Sequence, residues 1–305
     1  MSKIAINRPG AIGDIVMISN CLPKLRERYD SIDFFCHSSI AEVLGNFLQN
    51  NQLVDRVGYS ENLDSYLGSN SYEKVISPVG YPLKEGYPDV KMRKHIVEFF
   101  SDEFDVEASF DDLNLVPPSR PYGLNRERYV TFQNKTGWSV YKEWWGWQEL
   151  IDRIKLEKPE IGIYQIGGPY DPPLVNIDGT YLGASFDDNL AAQCHGEVHL
   201  GLDSVFNHTS NIRWQGIGKK SCVILFGSTQ YDASGYSHNT NISLQLPCQP
   251  CFRENPDIST MSKGVCPNPP DQTYENPKHQ CMANITIDMV YKAMVEIWDR
   301  PKKLL

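Results

Sequence analysis

Short runs rich in β-branched and aromatic residues alternate along this chain with segments whose apolar residues recur at helical spacing. A parallel strand pair needs a long connection, and a helix is its usual form, so the alternation predicts parallel sheets built through crossover helices. The pattern runs twice. In the first half Lys3–Asn7 reads as a strand, and residues 14–29 as one helix with Ile15, Ile18, Leu22 and Leu25 on one face. A strand over 32–36, a helix near 41–48 and a strand near 74–79 continue the series. The second half restarts with a strand over 129–133, a helix over 145–156 and a strand over 161–166 ending at Gly167-Gly168. A helix near 187–194, the strand Val198–Leu202, a helix opening at Ser204 and a strand over 222–226 follow. The final helix covers 285–298, with Ile287, Val290, Met294 and Ile297 at helical spacing.

Between the halves, Val116-Pro117-Pro118-Ser119-Arg120-Pro121 places three prolines in five positions, a composition that resists helix and sheet and suits an extended connector. At roughly 150 residues per domain, 305 residues fit two domains. The expectation is an α/β protein of two Rossmann-like domains facing a cleft, 1–120 and 121–305.

The net charge of −9 is a poor match for a polyanion, because basic side chains supply most non-specific affinity for nucleic acid. The start, Met1-Ser2-Lys3, is too short and polar for a signal peptide, and no apolar run reaches the roughly 18 to 20 residues that span a bilayer. A cytoplasmic protein is expected.

Two places carry the chemistry. In Arg8-Pro9-Gly10-Ala11-Ile12-Gly13-Asp14, a strand ends in a glycine-containing loop that opens a helix. Gly10 and Gly13 let a ligand approach the main chain, and Asp14 sits at the carboxyl end of the first strand, where open α/β sheets bind ligands. The spacing matches neither a dinucleotide fingerprint nor a P-loop. An ordinary helix cap is the competing role for Asp14. In the second half the strand Val198–Leu202 runs into Asp203-Ser204 and a helix carrying His208. There Ser204 is placed to cap the helix, whose N-terminus favours an anion such as a diphosphate.

Taken with Lys142-x-Trp144, Leu225-Phe226-Gly227-Ser228-Thr229 and the late Pro247-Cys248-x-Pro250-Cys251-Phe252, these segments occur in an order that resembles the bacterial lipopolysaccharide heptosyltransferase-like family, glycosyltransferase family 9. The resemblance covers nearly the whole chain and implies the GT-B architecture. The N-terminal domain would hold the acceptor at Gly10, Gly13 and Asp14, and the C-terminal domain a nucleoside-diphosphate sugar. It implies an inverting transfer without a catalytic metal or other cofactor, with Asp14 as general base and Lys142 neutralising donor phosphate. Asp203, Ser204, His208 and Gly167 would line the donor pocket. The best-known donor of the family is ADP-L-glycero-D-manno-heptose, and the acceptor is a hydroxyl of a surface glycan or glycolipid, which would bring peripheral membrane contact. No Asp-x-Asp occurs in the chain, which agrees with metal-free transfer.

Where the family has glycine after the Asp-Ser pair this chain has Val205, and close backbone approach is harder there. Two other readings follow: the same fold acting on another acceptor such as a modified nucleobase, or a catalytically silent sugar-nucleotide-binding protein.

Cys248, Cys251, Cys266 and Cys281 have a spacing that would suit four thiolates on a structural zinc, with reduced or disulfide-bonded cysteines as the favoured alternative. Cys21, Cys36, Cys194 and Cys222 lie in apolar runs and are expected in the core, and His199 as a packed strand residue. Trp138, Tyr141, Trp144, Trp145 and Trp147 form an aromatic group expected mainly in packing. The basic stretch Lys91–His95 is expected on the exposed face of a helix.

Overall fold

The computed structural model describes residues 2–78, 94–137, 142–250 and 279–300. In the first half the elements are β1 (Lys3–Asn7), α1 (Ile12–Ser19), α2 (Leu22–Arg26), β2 (Ser31–Cys36), α3 (Ser38–Asn50), β3 (Arg56–Tyr59), α4 (Leu63–Ser69), β4 (Lys74–Ile76) and α5 (Ile96–Phe104). A short β5 (Asn114–Leu115) precedes the proline-rich segment. The second half holds β6 (Tyr129–Phe132), α6 (Trp147–Glu157), β7 (Gly162–Gln165), β8 (Gly179–Thr180), α7 (Phe186–His195), β9 (Val198–Leu202) and α8 (Val205–Thr209). It closes with β10 (Arg213–Trp214), β11 (Cys222–Leu225), α9 (Tyr231–Ser234), β12 (Thr240–Ile242), α10 (Gln280–Ala283) and α11 (Ile287–Trp298).

All pairings within these strands are parallel. The first sheet has the order β3-β2-β1-β4 and the second β12-β11-β9-β6-β7-β8. Counted along the chain, with β10 set aside, the second sheet has the doubly wound Rossmann order, and the first has the same order over four strands. Each sheet reverses direction at one point, between β1 and β4 and between β6 and β9. Ligands of open α/β sheets bind outside the strand ends at such points. Asp14 follows β1 and Asp203 follows β9, so the order of the strands puts both at these positions.

The expected single helix over 14–29 is two helices. Pro23 falls in the first turn of α2 and lacks the N–H that would continue α1, while the Asn20 side chain bonds back to the carbonyls of Val16 and Met17. The basic stretch is also placed differently: α5 begins at Ile96, and buried His95 is its N-cap, its Nδ1 accepting from the Val97 amide at 3.2 Å. Lys91, Met92 and Arg93 lie outside the described residues.

The apolar core joins the halves. One cluster unites β1, α1, β2 and α3 with Ile166, Phe186, Leu190, Phe206, Ile212 and Trp214 of the second half. Phe47 meets Phe186 edge to face at 5.6 Å, and Phe186 stacks on Phe206 at 6.3 Å. A second cluster lies on the other face of the second sheet, under α6 and α11, and includes Trp144 and Trp147. The pairing of β5 with β10 adds a small sheet across the halves. Cys21, Cys36, Cys194 and Cys222 are fully buried or nearly so, as their apolar surroundings predict. No helix among the described residues is long and apolar enough to cross a membrane.

Candidate active site

Gly13 and His208 bring the two switch points together. A Cβ added at Gly13 would lie 3.1 Å from His208 Cδ2, 3.5 Å from its Nε2 and 4.0 Å from Val205 Cα. A side chain at position 13 would press on the His208 ring, which would have to give by a few tenths of an ångström. Val205 packs against the core that joins the halves.

On the first side, α1 begins at Ile12 after the N-cap Ala11, so Asp14 is the third helical residue. Alanine has no side-chain acceptor, so only the returning half of a capping box is formed, with Asp14 Oδ2 accepting from the Ala11 amide at 3.4 Å. Arg8 pairs with the same oxygen through Nη2, and its Nη1 donates to the Pro78 carbonyl at 3.0 Å. Because Pro78 follows β4, Arg8 spans the first switch point. Among the described residues no hydrogen bond occupies Asp14 Oδ1, and the side chain is 17% exposed.

On the second side, Lys142 arrives from the loop between β6 and α6. Its Nζ donates to Asp203 Oδ2 at 2.8 Å and to the Asp203 carbonyl at 3.0 Å. Burial works to raise the pKa of Asp203, but the Lys142 ammonium and the hydrogen bonds from Lys142 and Thr229 bring it down to about 2. His208 is lowered to about 4 by burial, with the Asp203 carboxylate opposing, and is neutral near pH 7. Its Nδ1 lies 3.2 Å from the Tyr236 hydroxyl. Tyr236 is buried, and a buried hydroxyl proton without an acceptor costs about 1–3 kcal/mol. We therefore assign the proton of that bond to Tyr236, which leaves His208 with its own proton on Nε2, the nitrogen beside Gly13. The Tyr236 ring also meets His95 at 4.9 Å.

Ser204 departs from its expected role. It precedes α8, but its hydroxyl donates to Gln133 Oε1 across the second switch point and caps nothing. With five residues α8 is also a weaker source of positive potential than a full helix. Gly167, at φ 153°, lies two residues past β7, where a Cβ would fall 2.2 Å from Asp171 Oδ2, and its amide donates to Asn189 at 2.8 Å. Gly10 lies in the turn before α1.

His199 is the packed strand residue expected, with Nδ1 3.0 Å from Thr131 Oγ1 and Gly201 leaving room for its ring. Trp144 and Trp147 are buried and Trp145 is 36% exposed, while Trp138 and Tyr141 lie outside the described residues. So do Cys251 and Cys266; Cys248 is half-buried and Cys281 buried.

Gln133, Asn207, Ser234 and Tyr236 join the site without having been singled out from sequence. Gln133 had a usable signal, being the first residue past a strand at the switch point. Tyr236 had none, because 28 residues separate it from His208 and the fold alone closes that gap.

The histidines predict acid lability. Burial holds His95, His208 and His238 at about 4 against an ordinary 6.5. The unfolded chain then takes up protons near 6.5 that the folded chain refuses until about 4, so stability falls as pH drops through that window. Asp203, depressed from 3.8 to about 2, adds a further loss below pH 4 with the same sign. Melting temperature should therefore decline steadily from pH 7 to pH 4; a flat profile there would contradict the neutral buried imidazoles.

No protein-family model matches the chain, and no curated protein matches it by sequence. Solved structures do match. A glycosyltransferase family 9 protein from Veillonella parvula aligns with a TM-score of 0.68 at 14% identity, covering 97% of each chain. The ADP-heptose lipopolysaccharide heptosyltransferase II of Escherichia coli aligns with 0.68 at 14% identity, over 97% of this chain and 98% of that one. The iron-containing dodecameric glycosyltransferase TibC of enterotoxigenic E. coli aligns with 0.69 at 14% identity, over 97% of this chain and 76% of that one. The chain therefore has the fold of the glycosyltransferase family 9 structures.

Proposed function

We propose that this protein is an inverting glycosyltransferase that moves a sugar, with heptose the leading candidate, from a nucleoside diphosphate to a hydroxyl of a surface glycan or glycolipid at the cytoplasmic side of the membrane. The observation that carries this reading is the junction of the two switch points at Gly13 and His208, where α1, the helix that carries Asp14, packs on α8, the helix that follows Asp203. The residues on the two sides are of the types that glycosyl transfer requires.

A sugar hydroxyl is a poor nucleophile until a base takes its proton. Asp14 holds Oδ2 against Arg8 and Ala11 and leaves Oδ1 for the acceptor hydroxyl. As the acceptor oxygen bonds to the anomeric carbon, the bond to the diphosphate breaks and the leaving group gains charge. Lys142 answers that charge, and the Nε2–H of neutral His208 adds a hydrogen bond. Ser228 Oγ, one position before Thr229, is buried and has no hydrogen-bond partner among the described residues. The absence of Asp-x-Asp in the sequence supports transfer without a metal.

A thermal-shift screen of ADP-, UDP-, GDP- and TDP-sugars tests the reading. One nucleotide class should raise the melting temperature by several degrees at concentrations well above its Kd. Indifference to all four would count against a donor site.

A further inference from the structure

Asp203 is 4% exposed, and both of its carboxylate oxygens are occupied. Oδ2 accepts from Lys142 Nζ at 2.8 Å and from Thr229 Oγ1 at 2.6 Å. Oδ1 accepts from Ser234 Oγ at 3.2 Å and from Asn207 Nδ2 at 3.4 Å. An ionised carboxylate offers about four acceptor sites. Four donors from four parts of the fold fill them, and a sugar hydroxyl could bind only by displacing one.

Lys142 is the opposite case. Its ammonium has three N–H donors. Two are directed at Asp203, one to the carboxylate and one to the main-chain carbonyl, and the side chain keeps 19% of its surface open. Among the described residues, one donor and the positive charge stay available to a ligand. Lysine is a flexible four-carbon stem carrying a point charge, so without an anchor its ammonium would sample many positions.

We propose that Asp203 is a positioning residue that touches no atom of the donor and acts only by holding the Lys142 ammonium toward the phosphates of a nucleoside diphosphate. Thr229, Ser234 and Asn207 in turn fix the carboxylate. The Asn207 amide is itself oriented, since Nδ2 also donates to the Ser234 carbonyl at 2.8 Å. This inference rests on the donor-site reading given above and assigns Asp203 a different part in it from direct contact with the sugar.

A double-mutant cycle separates the two. Asp203→Asn in the parent should lower transfer by roughly 10- to 100-fold, as loss of a partner that orients a functional group commonly does. In a Lys142→Ala background the same change should cost less than about twofold, because the group it acts through is gone. If Asp203 contacts the donor itself, the second loss will be as large as the first and the proposal is overturned. Asn at 203 places an N–H₂ among donors and could unfold the chain. Ser234→Ala is the second variant, since it removes only a hydroxyl from the oxygen that Lys142 does not use. It should reduce transfer several-fold in the parent and leave Lys142→Ala unchanged; equal losses in both backgrounds would also overturn the proposal. Binding of ADP, UDP, GDP and TDP to the parent is measured by calorimetry, and the cycle is repeated on the one that binds. A parent that binds none of the four sinks the donor-site reading, and the positioning role with it. A parent that binds one of them with independent, multiplicative losses sinks the positioning role alone.

Discussion

Asp14→Asn is expected to slow transfer by roughly 10²- to 10⁴-fold, the usual contribution of a positioned general base, while nucleotide affinity stays close to the parent's and melting temperature falls through loss of the Arg8 ion pair. Asparagine matches the shape of aspartate and its carbonyl can still accept from Arg8 and from the Ala11 amide, so both local hydrogen bonds can survive. It cannot take a proton from an acceptor hydroxyl. The helix-cap role makes the opposite forecast, because the capping bond that Asp14 makes among the described residues is the 3.4 Å contact to Ala11 and an amide can make it too. Turnover measured beside affinity and melting temperature distinguishes these, and undiminished turnover would return Asp14 to the helix end.

Lys142→Ala should cost on the order of 2 to 4 kcal/mol of transition-state stabilisation, the range seen when one preorganised electrostatic contact is removed. A stability loss comes with it. Asp203 is buried, and removing one partner of a buried pair typically costs about 3–5 kcal/mol because it strands the other charge. The hydrogen bonds from Thr229, Ser234 and Asn207 persist and should keep the loss toward the low end. Denaturant unfolding therefore has to accompany the kinetics, under conditions where the variant is folded. Parent-like turnover in a folded Lys142→Ala protein would remove Lys142 from the chemistry.

The strands were legible because parallel strands buried on both faces need β-branched and aromatic runs, and β1, β2, β9 and β11 stand within a residue of where those runs lie. Their order in the sheet was not, yet that order gives Asp14 and Asp203 their common setting. Among the helices, α1 and α2 read as one in the sequence because the apolar spacing of Ile15, Ile18, Leu22 and Leu25 runs across Pro23 without a break. Periodicity registers side chains and misses the absent N–H. Ser204 shows a related limit. Serine before a helix reads as a cap, but its hydroxyl donates to Gln133, just past the neighbouring strand β6 and 71 residues away. Lys142 and His208 could be named from motif order, whereas Tyr236, which fixes the proton of His208, became visible only through the fold.

The apolar seam formed by Phe47, Phe186 and Phe206 has a consequence for engineering. Exchanging one half with that of another protein of this fold presumes that each half carries its own finished surface. Here the helices that bear Asp14 and His208 are packed into one another. A chimera would have to transplant the seam residues as a matched set, Gly13 included, or the incoming half would meet a surface shaped for a different neighbour.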